Sequence, residues 1–80
     1  LADEGIKYDS YSVIGAARSG VAAAKMLKSK GYKVFLSDNS GEDKINRDFV
    51  KEILDNNIEH EFGMHSEKIF KNELIVVSPG

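Results

Sequence analysis

Eighty residues, 41% hydrophobic and 30% charged, make one small domain, residues 1–80, and exclude disordered and fibrous classes. A formal net charge of −2, from 11 basic and 13 acidic residues, gives no general attraction for nucleic acid, and none is expected as a partner. The absence of cysteine removes disulfide frameworks, thiolate nucleophiles and zinc–sulfur sites, and no apolar run reaches the roughly 18 residues that a membrane span needs.

The opening stretch LADEGIKYDSY has no basic segment leading into an apolar core, so a cytoplasmic setting without membrane contact is the expectation. Residues 11–14 then read as a short strand rich in β-branched residues and broken by Gly15. From about Gly20 to Lys30 the apolar positions Val21, Ala24 and Leu27, with Ala23 and Met26 beside them, recur at the helical period. Lys28 and Lys30 suit the negative end of that helix, and Gly31 stops it. Residues 33–37, KVFLS, form a second strand whose three consecutive apolar residues fit burial on both faces.

A polar loop over residues 38–43 leads to a second helix over about residues 46–56, with Phe49, Val50, Ile53 and Leu54 on one side. Residues 58–62 form a third strand closed by Gly63. Residues 66–70 form one helical turn capped by Ser66, and Leu74 to Val77 form a fourth strand. Strands alternating with long crossovers predict a doubly wound, Rossmann-like α/β/α unit with a mainly parallel sheet of about four strands. The third crossover is the shortest, and such a sheet has exposed edges.

The chemistry concentrates in VIGAARSG, Val13 to Gly20. A strand that breaks at Gly15 and a helix that starts near Gly20 present backbone amides to an anion. Ala17 stands where a GxGxxG fingerprint has its middle glycine, which favours a phosphate or a differently held diphosphate over a tightly seated dinucleotide; simple turn geometry is the other reading. Arg18 offers a guanidinium to phosphate oxygens or is merely solvated, and Ser19 donates to phosphate or caps the helix. Asp38 ends the second strand, where an acid accepts from a ribose or a uracil N–H, or else closes a turn with Asn39 and Ser40. Ser78, Pro79 and Gly80 follow the fourth strand on the side of the sheet where ligands bind, although Pro–Gly is also a turn dipeptide.

Other candidates are weaker. His60 and His65 fall in different elements, as a strand-surface and a loop residue, and no His or acid spacing matches a metal motif. No GxxxxGK(S/T) phosphate loop occurs, and no nucleophile, base and oxyanion set assembles, so no catalytic residue is assigned.

The combination of GAARSG, an aspartate at the second strand end, GMH after the third strand and ELIVVSPG resembles the N-terminal domain of the Mur ligases. Within that family it resembles the branch that adds D-glutamate to UDP-N-acetylmuramoyl-L-alanine in peptidoglycan synthesis. The resemblance covers Tyr11 to Gly80. It implies that the segment Gly15, Ala17, Arg18, Ser19 and Gly20 holds a UDP diphosphate, that Asp38, Asn39 and Ser40 recognise uracil, and that Gly80 closes on the nucleotide sugar. It also implies a parent enzyme in which a central ATPase domain and a C-terminal domain use ATP and Mg2+. The 80 residues are then expected to be a fragment, inactive alone, that binds UDP with a dissociation constant on the order of 0.1–1 mM. An NAD-binding module, or an interaction domain without a nucleotide, remain the alternatives.

Overall fold

The computed structural model describes residues 8–78. Over these the chain forms β1 (Ser10–Ile14), α1 (Arg18–Ser29), β2 (Lys33–Asp38), α2 (Arg47–Asp55), β3 (Glu59–Phe62) and β4 (Leu74–Val77). Short 3-10 turns occupy Glu42–Lys44 and Glu67–Lys71. The sheet order is β3-β2-β1-β4, and every pairing is parallel. The chain therefore winds outward from β1 to β3 and then returns to the far side of β1. This is the three-layer, Rossmann-like fold that the sequence predicts. The return places a topological switch point between β1 and β4.

Strand alternation gives the sheet two unlike faces. Register sets Val13 beside Leu36 and Val76 on one face, and Ser12 beside Phe35 and Ile75 on the other. The first face is the core. Val13, Val34 and Leu36 pack against Val21, Ala24 and Leu27 of α1 and Ile53 of α2, with Ile45 and Ile58 at the margins. The α1 contribution follows the helical spacing read from the sequence. Lys25 and Glu52 form an ion pair between the two helices.

The second face is held by direction as much as by burial. Ser12, fully buried, donates from Oγ to the carbonyl of Ile69 at 2.6 Å and accepts from Asn72 Nδ2 at 3.0 Å. Asn72 Nδ2 also lies 3.2 Å from the carbonyl of Tyr11. The short third crossover crosses the sheet here as the 3-10 turn Glu67–Lys71. It inserts one apolar residue, Ile69, and fastens itself with polar bonds.

Several element bounds differ from the sequence reading by one or two residues, and three differences bear on the site or the core. α1 begins at Arg18, two residues before Gly20, because extended Ala17 already offers its carbonyl to Val21 N at 2.9 Å. β2 runs through Asp38, whose register partner is Phe62. A 3-10 turn at Glu42–Lys44 lies at the end of the expected loop and leads buried Ile45 into the core before Asn46 caps α2.

Ile53 has no solvent exposure and joins α2 to the rest of the core. Ile53→Ala is expected to cost about 2–5 kcal/mol. Against a total of roughly 4–12 kcal/mol for a domain of this length, the midpoint of urea unfolding followed by circular dichroism should fall sharply.

Candidate nucleotide site

The site begins with two glycines at which a side chain would be strained. Gly15 leaves β1 at φ +111°, and a Cβ there would lie 3.2 Å from Ser78 Cβ. A Cβ on Gly20 would lie 1.8 Å from the Gly15 carbonyl oxygen, far inside contact distance. The first turn of α1 is thus pressed onto the loop that precedes it, at the β1/β4 switch point. Ser78 completes this junction, with its N–H donating to the Ile14 carbonyl at 3.0 Å.

Ala17 is the N-cap of α1, and no side chain caps the helix. The capping role considered for Ser19 is therefore corrected: Ser19 lies inside the first turn, one residue after Arg18, and both are exposed. No acidic residue occupies that turn. The start of α2 is arranged in the opposite way. Asn46 Oδ1 accepts from Asp48 N at 2.8 Å and Phe49 N at 3.4 Å, and Asp48 adds a negative charge. The positive end of α2 is satisfied from within, whereas the amides opening α1 lack any side-chain acceptor. Beside them, the buried Ser78 Oγ makes no hydrogen bond among the described residues.

Asp38, half-buried at the end of β2, ties this loop to the next. One carboxylate oxygen accepts from Ala16 N at 2.6 Å, and the other accepts from Ser40 N at 2.8 Å. The turn reading of Asp38, Asn39 and Ser40 is realised. Each oxygen still has a second lone pair for a ligand donor. Gly63 N lies 2.9 Å from the Asp38 carbonyl and 2.8 Å from the Ser40 carbonyl, so the end of β3 clamps the same turn. Asn39 and Ser40 remain exposed.

The structure therefore gathers Gly15, Ala17, Gly20, Asp38 and Ser78 at one edge of the sheet, with Arg18, Ser19, Asn39 and Ser40 on the adjoining surface. The Gly80 assignment lies outside the described residues. Sequence reasoning missed Ser37, Glu61 and the bonding of His65. Ser37 Oγ lies 2.7 Å from Glu61 Oε2 and 2.8 Å from His65 Nδ1. The available signal was a serine inside a strand otherwise suited to burial on both faces.

Burial pushes the Glu61 carboxyl up, but hydrogen bonds from Ser66 and Ser37, with Lys68 nearby, outweigh it and hold the group below its usual range. Elsewhere, an open groove of about 800 Å3 along α2 shares no residue with this site. Among the described residues no three His, Cys, Asp or Glu side chains could hold a metal ion, and no helix is long and apolar enough to cross a membrane.

Compared with known proteins, the chain matches the MurD N-terminal domain family over residues 12–80. It is 39% identical over 80 residues to the UDP-N-acetylmuramoylalanine–D-glutamate ligase of Chloroherpeton thalassium, a match covering 100% of this chain and 17% of that protein. Against the ligases of the same name from Cytophaga hutchinsonii and Geotalea daltonii, identity is 45% over 69 residues and 40% over 76. Those matches cover 85% and 94% of this chain, and 15% and 17% of the relatives. The chain thus spans about one sixth of the length of the curated relatives it matches.

Two outcomes follow from this geometry. Gly20→Ala forces either α1 or the Gly15 carbonyl to move and should cost roughly 1–3 kcal/mol, with amide shifts across residues 14–20 and at Ser78 in an 15N–1H spectrum. For Glu61, a folded-state value below its ordinary 4.5 means that its stabilisation is complete above that pH and is lost as pH falls through the lower value. The difference in unfolding free energy between wild type and Glu61→Gln should therefore be constant near neutrality and shrink in acid, as read by urea titrations at a series of pH values.

Proposed function

The chain belongs to the MurD N-terminal domain family, and from that premise we propose that it holds the UDP part of UDP-N-acetylmuramoyl-L-alanine for a ligase that adds D-glutamate during peptidoglycan synthesis in the cytoplasm. The observation that carries this reading is the start of α1. Among the described residues no side chain caps its amides and its first turn holds no acidic residue, and they meet the β1/β4 switch point across the Gly15–Gly20 contact.

A diphosphate placed there is stabilised by oriented N–H groups and by the positive end of the helix, without a cluster of cations. The amides of Ala17, Arg18, Ser19 and Gly20 face the phosphates, the Arg18 guanidinium closes over them, and the Ser19 hydroxyl donates from the same turn. The Ser78 hydroxyl, buried and without a partner among the described residues, supplies a further donor. Asp38 accepts from the uracil or ribose while it keeps the glycine loop and the Asn39–Ser40 turn in register. Gly80 is assigned to the loop that closes on the nucleotide sugar.

The role of this chain is positional. Holding the UDP handle fixes the distant carboxylate of the substrate relative to the rest of a multidomain ligase and removes orientational freedom from the reaction. ATP and Mg2+, bound by a central ATPase domain, supply the activation of that carboxylate, and a C-terminal domain presents D-glutamate. The 80-residue chain alone binds and does not turn over.

Titration of the 15N-labelled chain with UDP should give a dissociation constant on the order of 0.1–1 mM, with shifts at Gly15 to Gly20 and at Asp38 to Ser40. Arg18→Ala, at an exposed position, should weaken binding about threefold to tenfold, as expected for loss of a charge-assisted contact, and leave the fold intact. NAD-specific shifts with no response to UDP would instead assign a dinucleotide module, and silence towards both would remove the nucleotide site.

A further inference from the structure

Ser37 is a fully buried serine with three acceptors or donors around one hydroxyl. Its Oγ lies 2.7 Å from Glu61 Oε2, 2.8 Å from His65 Nδ1 and 3.3 Å from the Met64 carbonyl. A hydroxyl donates a single proton. Glu61 Oε2 also accepts from Ser66 N at 2.8 Å, and its surroundings favour the charged carboxylate. The Ser37 proton therefore goes to Glu61, the shortest and only charged acceptor of the set. With that proton placed, the contact between Ser37 Oγ and His65 requires Nδ1 to be the donor. His65 Nδ1 then carries a proton and is the donor of this contact.

Ser37 is also where the two loops of the site meet. Its carbonyl accepts from Gly15 N at 2.9 Å, at the start of the glycine loop. The next residue is Asp38, whose carboxylate takes Ala16 N. Two residues before His65, Gly63 at φ +88° directs its N–H at the carbonyls of both Asp38 and Ser40. The segment Gly63 to Ser66 thus grips the end of β2 by three routes: the Gly63 amide, the His65 ring and the Ser66 amide through Glu61.

We infer that His65 is a positioning residue. By donating from Nδ1 to Ser37 it locks the end of β2 against the loop after β3, and so holds the glycine loop and the Asp38–Ser40 turn at the spacing that a nucleoside diphosphate requires. This rests on the reading of those two loops as the UDP site. His65 itself is exposed, so its ring contributes little to the core and can be exchanged without emptying a buried space.

The test combines ring protonation, rescue and affinity on the 80-residue chain. Long-range 15N–1H spectra of the imidazole should show Nδ1 protonated. His65→Ala should raise amide hydrogen exchange at Gly15 and Gly63 and weaken UDP binding about threefold to tenfold while cooperative unfolding persists. His65→Asn, whose amide N–H falls near the position of Nδ1, should restore affinity to within about twofold of wild type. His65→Gln, whose amide falls near Nε2, should behave like alanine. An Nδ1 without a proton, or UDP affinity in His65→Ala equal to that of wild type, overturns the inference and leaves the UDP site standing. Failure of the wild-type chain to bind UDP overturns both together.

Discussion

The contact between Gly20 and the Gly15 carbonyl fixes the rest of the site. A single methyl at position 20 would stand 1.8 Å from that oxygen. With hydrogen in its place, α1 can begin with only three residues between it and β1 and lie directly over the break in the strand. The proximity directs the first turn of the helix at the β1/β4 switch point and brings Ser78 into the same junction. Were the loop longer or the approach looser, the open amides of α1 would face bulk water, where solvent competes for every donor. Here they are held at the C-terminal edge of a parallel sheet, the place where the fold leaves a crevice.

The two helices share one core face but treat their positive ends differently. α2 is closed by Asn46 and Asp48, which stabilise a helix of nine residues that is too short to persist without help. α1 has twelve residues, three alanines in succession and four buried positions, including Gly20. It forms on propensity and packing without a cap. The longer, better-packed helix is thus the one whose terminus can be left for a ligand. Asp38 supports this division: its charge lies close to the glycine loop, yet its Oδ2 is directed to Ala16 N, just before the helix, and not to the amides of the first turn.

The apolar pattern made the core legible. Val21, Ala24 and Leu27 at helical spacing, and Val34 and Leu36 in the second strand, all lie where periodicity places them, because burial follows repeat length and repeat length is local. Gly15 and Gly20 were legible as a turn, and the structure adds the reason for each. What could not be read were relations between residues distant in sequence that depend on strand register. Ser37 meets Glu61 because β2 and β3 pair that way, and Asp38 meets Ala16 because β2 extends two residues further than its apolar run. The uncapped state of α1 was hidden for another reason. Ser19 is a good capping residue, and only the extended conformation of Ala17 moves the N-cap two positions upstream.

The polar face of the sheet explains how loops at its edge keep their places. Apolar packing resists separation but is non-directional, and a layer held by it alone tolerates small sliding. Hydrogen bonds are directional, and a buried hydroxyl left without a partner is costly, so misplacement is penalised. Ser12 and Ser37, both without solvent exposure, apply this at the two strands that carry the glycine loop and the aspartate. Ser12 fastens the crossover that delivers β4, through Ile69 and Asn72. Ser37 fastens the loop that follows β3, through Glu61 and His65. The face that packs the helices supplies most of the apolar core, and the serines of the opposite face add directional bonds that help to place the loops at the sheet edge.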